Sequence, residues 1–539
     1  MNSDAPEDYV PTDEAPLVSN LLPRPGKLVM RGPLHRKLDI AASSERLAGT
    51  MVYDDAASTG VLLVYETTFI YPSVRGSGKT TAVYIKTGPF TITTMDLTAK
   101  PKPRDYSSIK LGNWCYALTS PSDGGQVMRW DGSATTPTVM AGGPNSGMHL
   151  TAHLQRLFVL DLSGNLFWTD TVAGSTPDLN LAASWQDDAS GLTNKIVLGT
   201  SDYPVGLVSI GRKLVIFFRN SVYVISGDSP SSFSLRQVTD KIGCVDPQSI
   251  VAYDDACYFL SADGLYSYDG VDFVNKSINK VRDLQVAAMK SAGVPTPVID
   301  ESHTPQLGYA RATHVGNGSL LLVIGTQTPE TYATTYFSGL FDVRTGAWSK
   351  FSSDALSSGA TDAAPSMFLS TGSMSYFRGA PLGWDGRDLI YLDEIARPEA
   401  SADADKGKDV LDATKHIHAT YCSRLGRLAT PEQMNRVKRI MVDYKFVPDG
   451  ASAESTSGWY VSAIDGASNT VLAETRVPAQ TDPPTQLGRK RAVLDCNAEA
   501  NDLQVRIEWR GTGTPPALAA AEIYDVTVEF TPAQDRASF

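Results

Sequence analysis

At 539 residues, with 42% hydrophobic and 20% charged, the chain is too long for one compact core and reads as two or three folded domains. Its 44 glycines and 32 prolines punctuate short strands rather than long helices, and 22 Tyr, 17 Phe and 8 Trp favour those strands. A net charge of −12 argues against a surface that grips DNA phosphates, the five scattered cysteines lack metal or disulfide spacing, and no run of about 18 apolar residues offers a membrane-spanning helix.

The first sixteen residues, MNSDAPEDYVPTDEAP, are acidic and proline-rich, the reverse of a signal peptide, and predict a soluble protein made in a reducing cytosol. Prolines at 6, 11, 16, 23, 25 and 33 exclude a regular helix, so residues 1–45 are expected to form an extended N-terminal arm. Its basic residues Arg24, Lys27, Arg31 and Arg36 accompany Leu21, Leu22, Leu28, Val29 and Met30, which would be exposed on a lone arm. That combination predicts an arm laid on a neighbouring subunit.

The stretch Gly76-Ser77-Gly78-Lys79-Thr80 approaches the phosphate loop of nucleotide hydrolases, with Ser73 where the first glycine belongs. Such a loop needs a helix after it, but TAVYIKTGPFTI follows, rich in β-branched and aromatic residues. The expectation is a hairpin turn with Arg75 and Lys79 as a basic tip, and no nucleotide bound.

From about residue 46 to 425 a module recurs: an apolar strand, a polar turn, an aromatic strand, then often Asp-Gly or Gly-Asp. Examples are QRLFVLDLSGNLFWTD, GRKLVIFFRNSVYVISGD and DACYFLSADGLYSYDG. A spacing of about 40–65 residues suits the four-stranded blades of a β-propeller, here about six, in preference to two stacked sandwiches. One helix is expected at 279–293, with Val281, Leu284, Ala288 and Ala292 inward and a stop at Gly293. Residues 398–413 read as a loop. Residues 426–539 hold six alternating strands and predict a C-terminal β-sandwich or jelly-roll-like domain. In RVKRIMVDYKF, Val437, Ile440, Val442 and Tyr444 share a face only if a bulge shifts register near Arg439. The fold class is therefore all-β.

No chemistry stands out. His416 and His418 share a strand face without a third ligand, and SADGLYSYDG departs from the Asp box of sialidases. Asp263-Gly264 and Asp269-Gly270 read as turns, and the Asn275 sequon as chance. Trp185 and Trp459 are candidates for stacking sugars and equally for core positions. No catalytic, metal or cofactor-binding residue is assigned, and no enzyme is expected.

The stretches VGLVSIGRKLVIFFRNSVYVISGD and KIGCVDPQSIVAYDDACYFLSADGLYSYDG resemble β-propeller tail proteins, of the nozzle type, from short-tailed bacteriophages. Arg24-Pro25-Gly26-Lys27 is similar to the tract that opens such chains, and the resemblance covers mainly residues 205–270 and that tract. It implies a structural virion protein of the tail, made in the host cytoplasm, whose copies form a ring of six below the portal and adaptor. DNA would pass through the ring without sequence-specific binding, and fibre or spike proteins would be further partners. The alternative is a carbohydrate-binding or carbohydrate-cleaving propeller of a receptor-binding tail component.

Overall fold

The computed structural model describes residues 193–294 without a break, most of 109–172, and 182–186, 308–314, 318–326 and 334–351; it also describes the strands between 17 and 96, between 375 and 392, and between 420 and 532. Their pairing gives seven four-stranded antiparallel units. Six are consecutive in the chain, within 46–96, 109–139, 147–197, 204–239, 251–275 and 308–350. The seventh combines Ser375–Phe377, Ala380–Trp384 and Asp388–Leu392 with Leu34–Asp39 as its outermost strand.

The first strand of each unit touches the first strand of the next, from Arg46–Asp54 through Ile109–Leu111, Gly147–His153, Pro204–Ile210, Val251–Tyr253 and Gly308–His314 to Ser375–Phe377 and back to Arg46–Asp54. That closed circle makes the units the blades of a propeller. The expected count of about six becomes seven. Counting consecutive hairpins cannot find a blade whose fourth strand lies more than 330 residues upstream, in a segment read as an arm.

Blade four shows why these sequences form blades. In KLVIFF, Leu214, Ile216 and Phe218 pack with Phe158, Leu160 and Leu166 of blade three. The alternate residues Val215 and Phe217 pack with Cys257, Phe259 and Tyr268 of blade five. A strand buried on both faces needs a continuous apolar run, and closure around the axis supplies a neighbour for each face.

The helix forms at Arg282–Ala292 and ends at Gly293 in the left-handed conformation, as its sequence predicts. Its inward face differs from expectation. Val281, Gln285, Ala288, Met289 and Ala292 are buried, and Leu284 is exposed. Gln285 turns inward because its Oε1 accepts hydrogen bonds from Ser277 Oγ (2.6 Å) and Leu265 N (3.3 Å), tying the helix to blade five. A search for apolar periodicity passes over such a residue.

Two sheets build the C-terminal sandwich. One carries Thr420–Cys422, Asp502–Arg510, Gly458–Asp465 and Thr470–Arg476; the other carries Leu518–Pro532, Asn435–Pro448 and Lys490–Ala500. Val437, Ile440, Val442 and Tyr444 all face the core, and the register shifts between Val437 and Arg439 as their spacing requires. Thr420–Cys422 lies before the expected boundary at 426 yet pairs with this sheet, Tyr421 opposite Ile507.

The N-terminal segment departs most from expectation. Leu17–Ser19 pairs with Thr420–Cys422 on one side and, in parallel, with the outermost strand of blade six on the other, Ser19 beside Lys350. Blade six and the sandwich thus share one ten-stranded sheet. The hairpin Leu21–Arg24 and Lys27–Met30 extends the other sandwich sheet, with Leu28 opposite Ile523. Leu21 and Val29 are buried, and Leu21 belongs to the sandwich core. Within this chain, the segment read as an arm completes three sheets.

Candidate functional site: inter-blade clasps and the seam to the sandwich

The residues singled out by sequence do not converge. Lys27 donates to Glu522 Oε1 at 2.9 Å, with its ammonium 5.8 Å from the Tyr524 ring centre. Arg24 and Arg36 lie on strands, opposite Lys27 and Ile390, but in this chain's own sheets. Arg31, Arg75 and Lys79 lie outside the described residues, as do His416 and His418. Thr80–Lys86 is a strand paired antiparallel with Thr59–Glu66, so the glycine-rich stretch joins two strands and no helix follows it. That is hairpin connectivity, without the helix N-terminus a phosphate loop requires.

The tract KIGCVDPQSI supplies the densest polar geometry. Asp246 precedes a single turn of 3₁₀ helix, Pro247–Ser249, and its Oδ1 accepts from Gln248 N at 2.8 Å. Its Oδ2 accepts from Ala310 N, on the first strand of blade six, at 2.9 Å. Ser249 Oγ donates to Asp246 O (2.7 Å) and accepts from Leu260 N of blade five (3.2 Å). Gly243 passes so close to blade four that a Cβ there would meet Arg219 O at 2.1 Å. Ten residues thus bind three blades, which explains a glycine, an aspartate and a serine in this pattern.

Other clasps cross between blades. Leu207 N of blade four donates to His149 Nδ1 of blade three (3.2 Å), and His153 Nδ1 lies 2.7 Å from Ser209 Oγ. Burial pushes the His153 imidazole down to about 4, against the weaker upward pull of Asp228. It is neutral near pH 7, with Nε2 buried and no hydrogen-bond partner for it among the described residues. Lys213 Nζ donates to Gly270 O of blade five and Lys280 Nζ to Gly346 O of blade six, both at 2.7 Å. Trp348 Nε1 of blade six donates back to Lys276 O at 2.9 Å. A lysine reaching the turn of the following blade is a signal that local reading could not use, since its acceptor is a backbone carbonyl 57 or 66 residues away.

These groups hold a frame; they are not arranged as a nucleophile with its base. Burial raises the Cys244 thiol to about 12 and the Cys257 thiol further, so neither supplies a thiolate. Among the described residues, no group of three His, Cys, Asp or Glu is placed to hold a metal ion. Trp185 and Trp459 are core residues, 1% and 2% exposed, and cannot stack on a sugar from solvent. Asp269 accepts from Val271 N and Asp272 N, a turn role that holds its carboxyl below the usual range. Asn275 Oδ1 accepts from Ser277 N and Ile278 N, and Ser277 is fully buried, so the sequon is built into a turn.

No family model matches the chain, and no curated protein sequence matches it. Among solved structures it is similar to BamB from Moraxella catarrhalis, at 11% identity and a TM-score of 0.33, over 67% of this chain and 97% of that one. A protein from Lactobacillus plantarum is similar at 12% identity and a TM-score of 0.30, over 54% and 95% of the two chains. The propeller assignment rests on the closed circle of strand contacts in this chain.

Proposed function

We propose that this chain is a structural subunit of a bacteriophage tail, several copies of which close a ring below the portal and adaptor around the path of the DNA. The observation that carries the reading is the stretch 205–270, which resembles nozzle-type tail proteins and whose marked residues work as connectors. Gly243, Asp246 and Ser249 bind blades four, five and six to one another. Tissue of that kind suits a subunit that must keep its shape under load. The strand Leu17–Ser19, shared between blade six and the sandwich, supports it by joining two domains into one building block.

The charge of −12 is consistent with DNA sliding past without the salt-dependent grip of a basic channel. Because the basic N-terminal strands bind their own chain, the ring contacts in this reading fall to other surfaces of the propeller and sandwich. Copies must then meet through two different faces whose rotation closes. The test is the mass of the chain in solution, alone and with portal–adaptor complexes. A closed multiple of the 57.9 kDa chain is expected. A chain that stays monomeric at high concentration in both settings contradicts the reading.

A further inference from the structure

The seams between blades differ in what closes them. Between blades four and five, Lys213 Nζ donates to Gly270 O; between five and six, Lys280 Nζ donates to Gly346 O and Trp348 Nε1 to Lys276 O. Those donors are ammonium and indole N–H groups, which acid does not remove. The seam between blades three and four is crossed instead by two imidazoles. His149 and His153 stand four residues apart on Gly147–His153, so both side chains leave the same face of the strand. His149 Nδ1 accepts from Leu207 N at 3.2 Å, and His153 Nδ1 lies 2.7 Å from Ser209 Oγ, both on the first strand of blade four.

The first of these bonds depends on protonation in a way the lysine and indole clasps do not. A backbone N–H can only donate, so the Leu207 bond exists only while His149 Nδ1 carries no proton. An imidazolium would set two donors against each other there. His153 is buried, its Nε2 is enclosed without a hydrogen-bond partner among the described residues, and its ring meets Phe158 edge-on with centroids 5.8 Å apart. Phe158, Leu160 and Leu207 pack into the same seam, so a charge placed there is poorly solvated.

The charged groups around the two rings already have partners. Exposed Asp228 of blade four pairs with Arg212 at 3.3 Å. Arg156, opposite His153 on the next strand of blade three, lies 3.9 Å from Asp170. Near His149 runs the linker turn, since a Cβ on Gly206 would lie 3.7 Å from both His149 and Pro247. The carboxylate of that turn, Asp246, accepts from Gln248 N and Ala310 N. Burial of the His153 ring outweighs the pull of Asp228, which agrees with its imidazole being held near 4.

We propose that this seam is an acid-operated catch: neutral His149 and His153 hold blades three and four together, and protonation of the two rings parts the strands there while the seams of blade five stay closed. The catch is independent of any ring of subunits, because every group in it belongs to one chain.

Amide-resolved hydrogen exchange of the full chain tests it, with intrinsic rates corrected. Between about pH 7 and about pH 4.5, Leu207 N and its neighbours in Pro204–Ile210 are expected to exchange about tenfold faster, while Ala256–Ser261 and Ser319–Thr326 keep their protection. In the double variant His149→Gln and His153→Gln, side-chain amide oxygens can accept the same bonds without titrating. Its ratio of rates at the two pH values should fall to about one, and a ratio is not masked by a constant loss of stability. Unchanged protection of Pro204–Ile210 at the lower pH overturns the proposal. So does a loss shared equally by blades five and six, or a double variant that responds to acid as the native chain does.

Discussion

The pair of blades four and five and the C-terminal sandwich assemble their antiparallel sheets by opposite routes. Blades four and five are each built from consecutive strands and joined by a ten-residue linker whose Ser249 and Asp246 side chains bond to blades five and six. The sandwich takes strands from the far end of the chain, Leu17–Ser19 and the hairpin Leu21–Met30, and its core includes Leu21. Local closure leaves a readable trace in sequence because each hairpin carries its own turn. Distant closure leaves almost none, since a three-residue strand such as Leu-Val-Ser has too little pattern to be recognised.

The largest effect expected is at Leu21. Leu21→Asp places a carboxylate in a fully buried site and should release the N-terminal hairpin, lowering stability by about 4 kcal/mol or more. Thermal unfolding should then show the sandwich melting ahead of the propeller; a single unchanged transition contradicts the role given to this residue.

Gly243→Val comes next, because any side chain there collides with the backbone of Arg219. The expected loss is about 3 kcal/mol, read by urea unfolding and falling on the propeller with the sandwich unaffected. Asp246→Ala removes acceptors for Gln248 N and Ala310 N together and should cost about 2 kcal/mol. Asp246→Asn keeps one acceptor oxygen and should recover part of that loss; equal losses for the two variants would mean that the clasp is packing and not hydrogen bonding.

His153 adds a pH dependence confined to the propeller. Its imidazole titrates near 4 when folded and near 6.5 when unfolded, so the unfolded chain binds the extra proton first. Stability should therefore fall as pH drops from about 6.5 to about 4 and level off below, by at most about 3 kcal/mol for this group. His153→Gln should flatten that part of the profile while leaving the rest in place. The smallest effect belongs to the part-exposed Lys27–Glu522 pair, where Lys27→Ala should cost under about 1 kcal/mol.

Legibility followed the same division. The bulge near Arg439 and the stop at Gly293 could be read directly, because each is decided within a few residues. The seventh blade, the shared sheet and the inward turn of Gln285 could not, because each is decided by a partner that sequence does not place nearby. The candidate site fared likewise. KIGCVDPQSI was marked by resemblance alone, and only geometry showed Asp246 reaching across to Ala310. For Lys27 of the N-terminal tract, expected to meet a neighbouring subunit, the partner is Glu522 of the same chain.

Hydrogen exchange in the strands Leu17–Ser19, Leu21–Arg24, Lys27–Met30 and Leu34–Asp39 tests most directly whether they complete both domains. The account predicts slow exchange, comparable with that of the strands they join at Trp348–Lys350, Asp388–Leu392 and Leu518–Pro532. Amides of those four strands that exchange at once while their partner strands stay protected would contradict it.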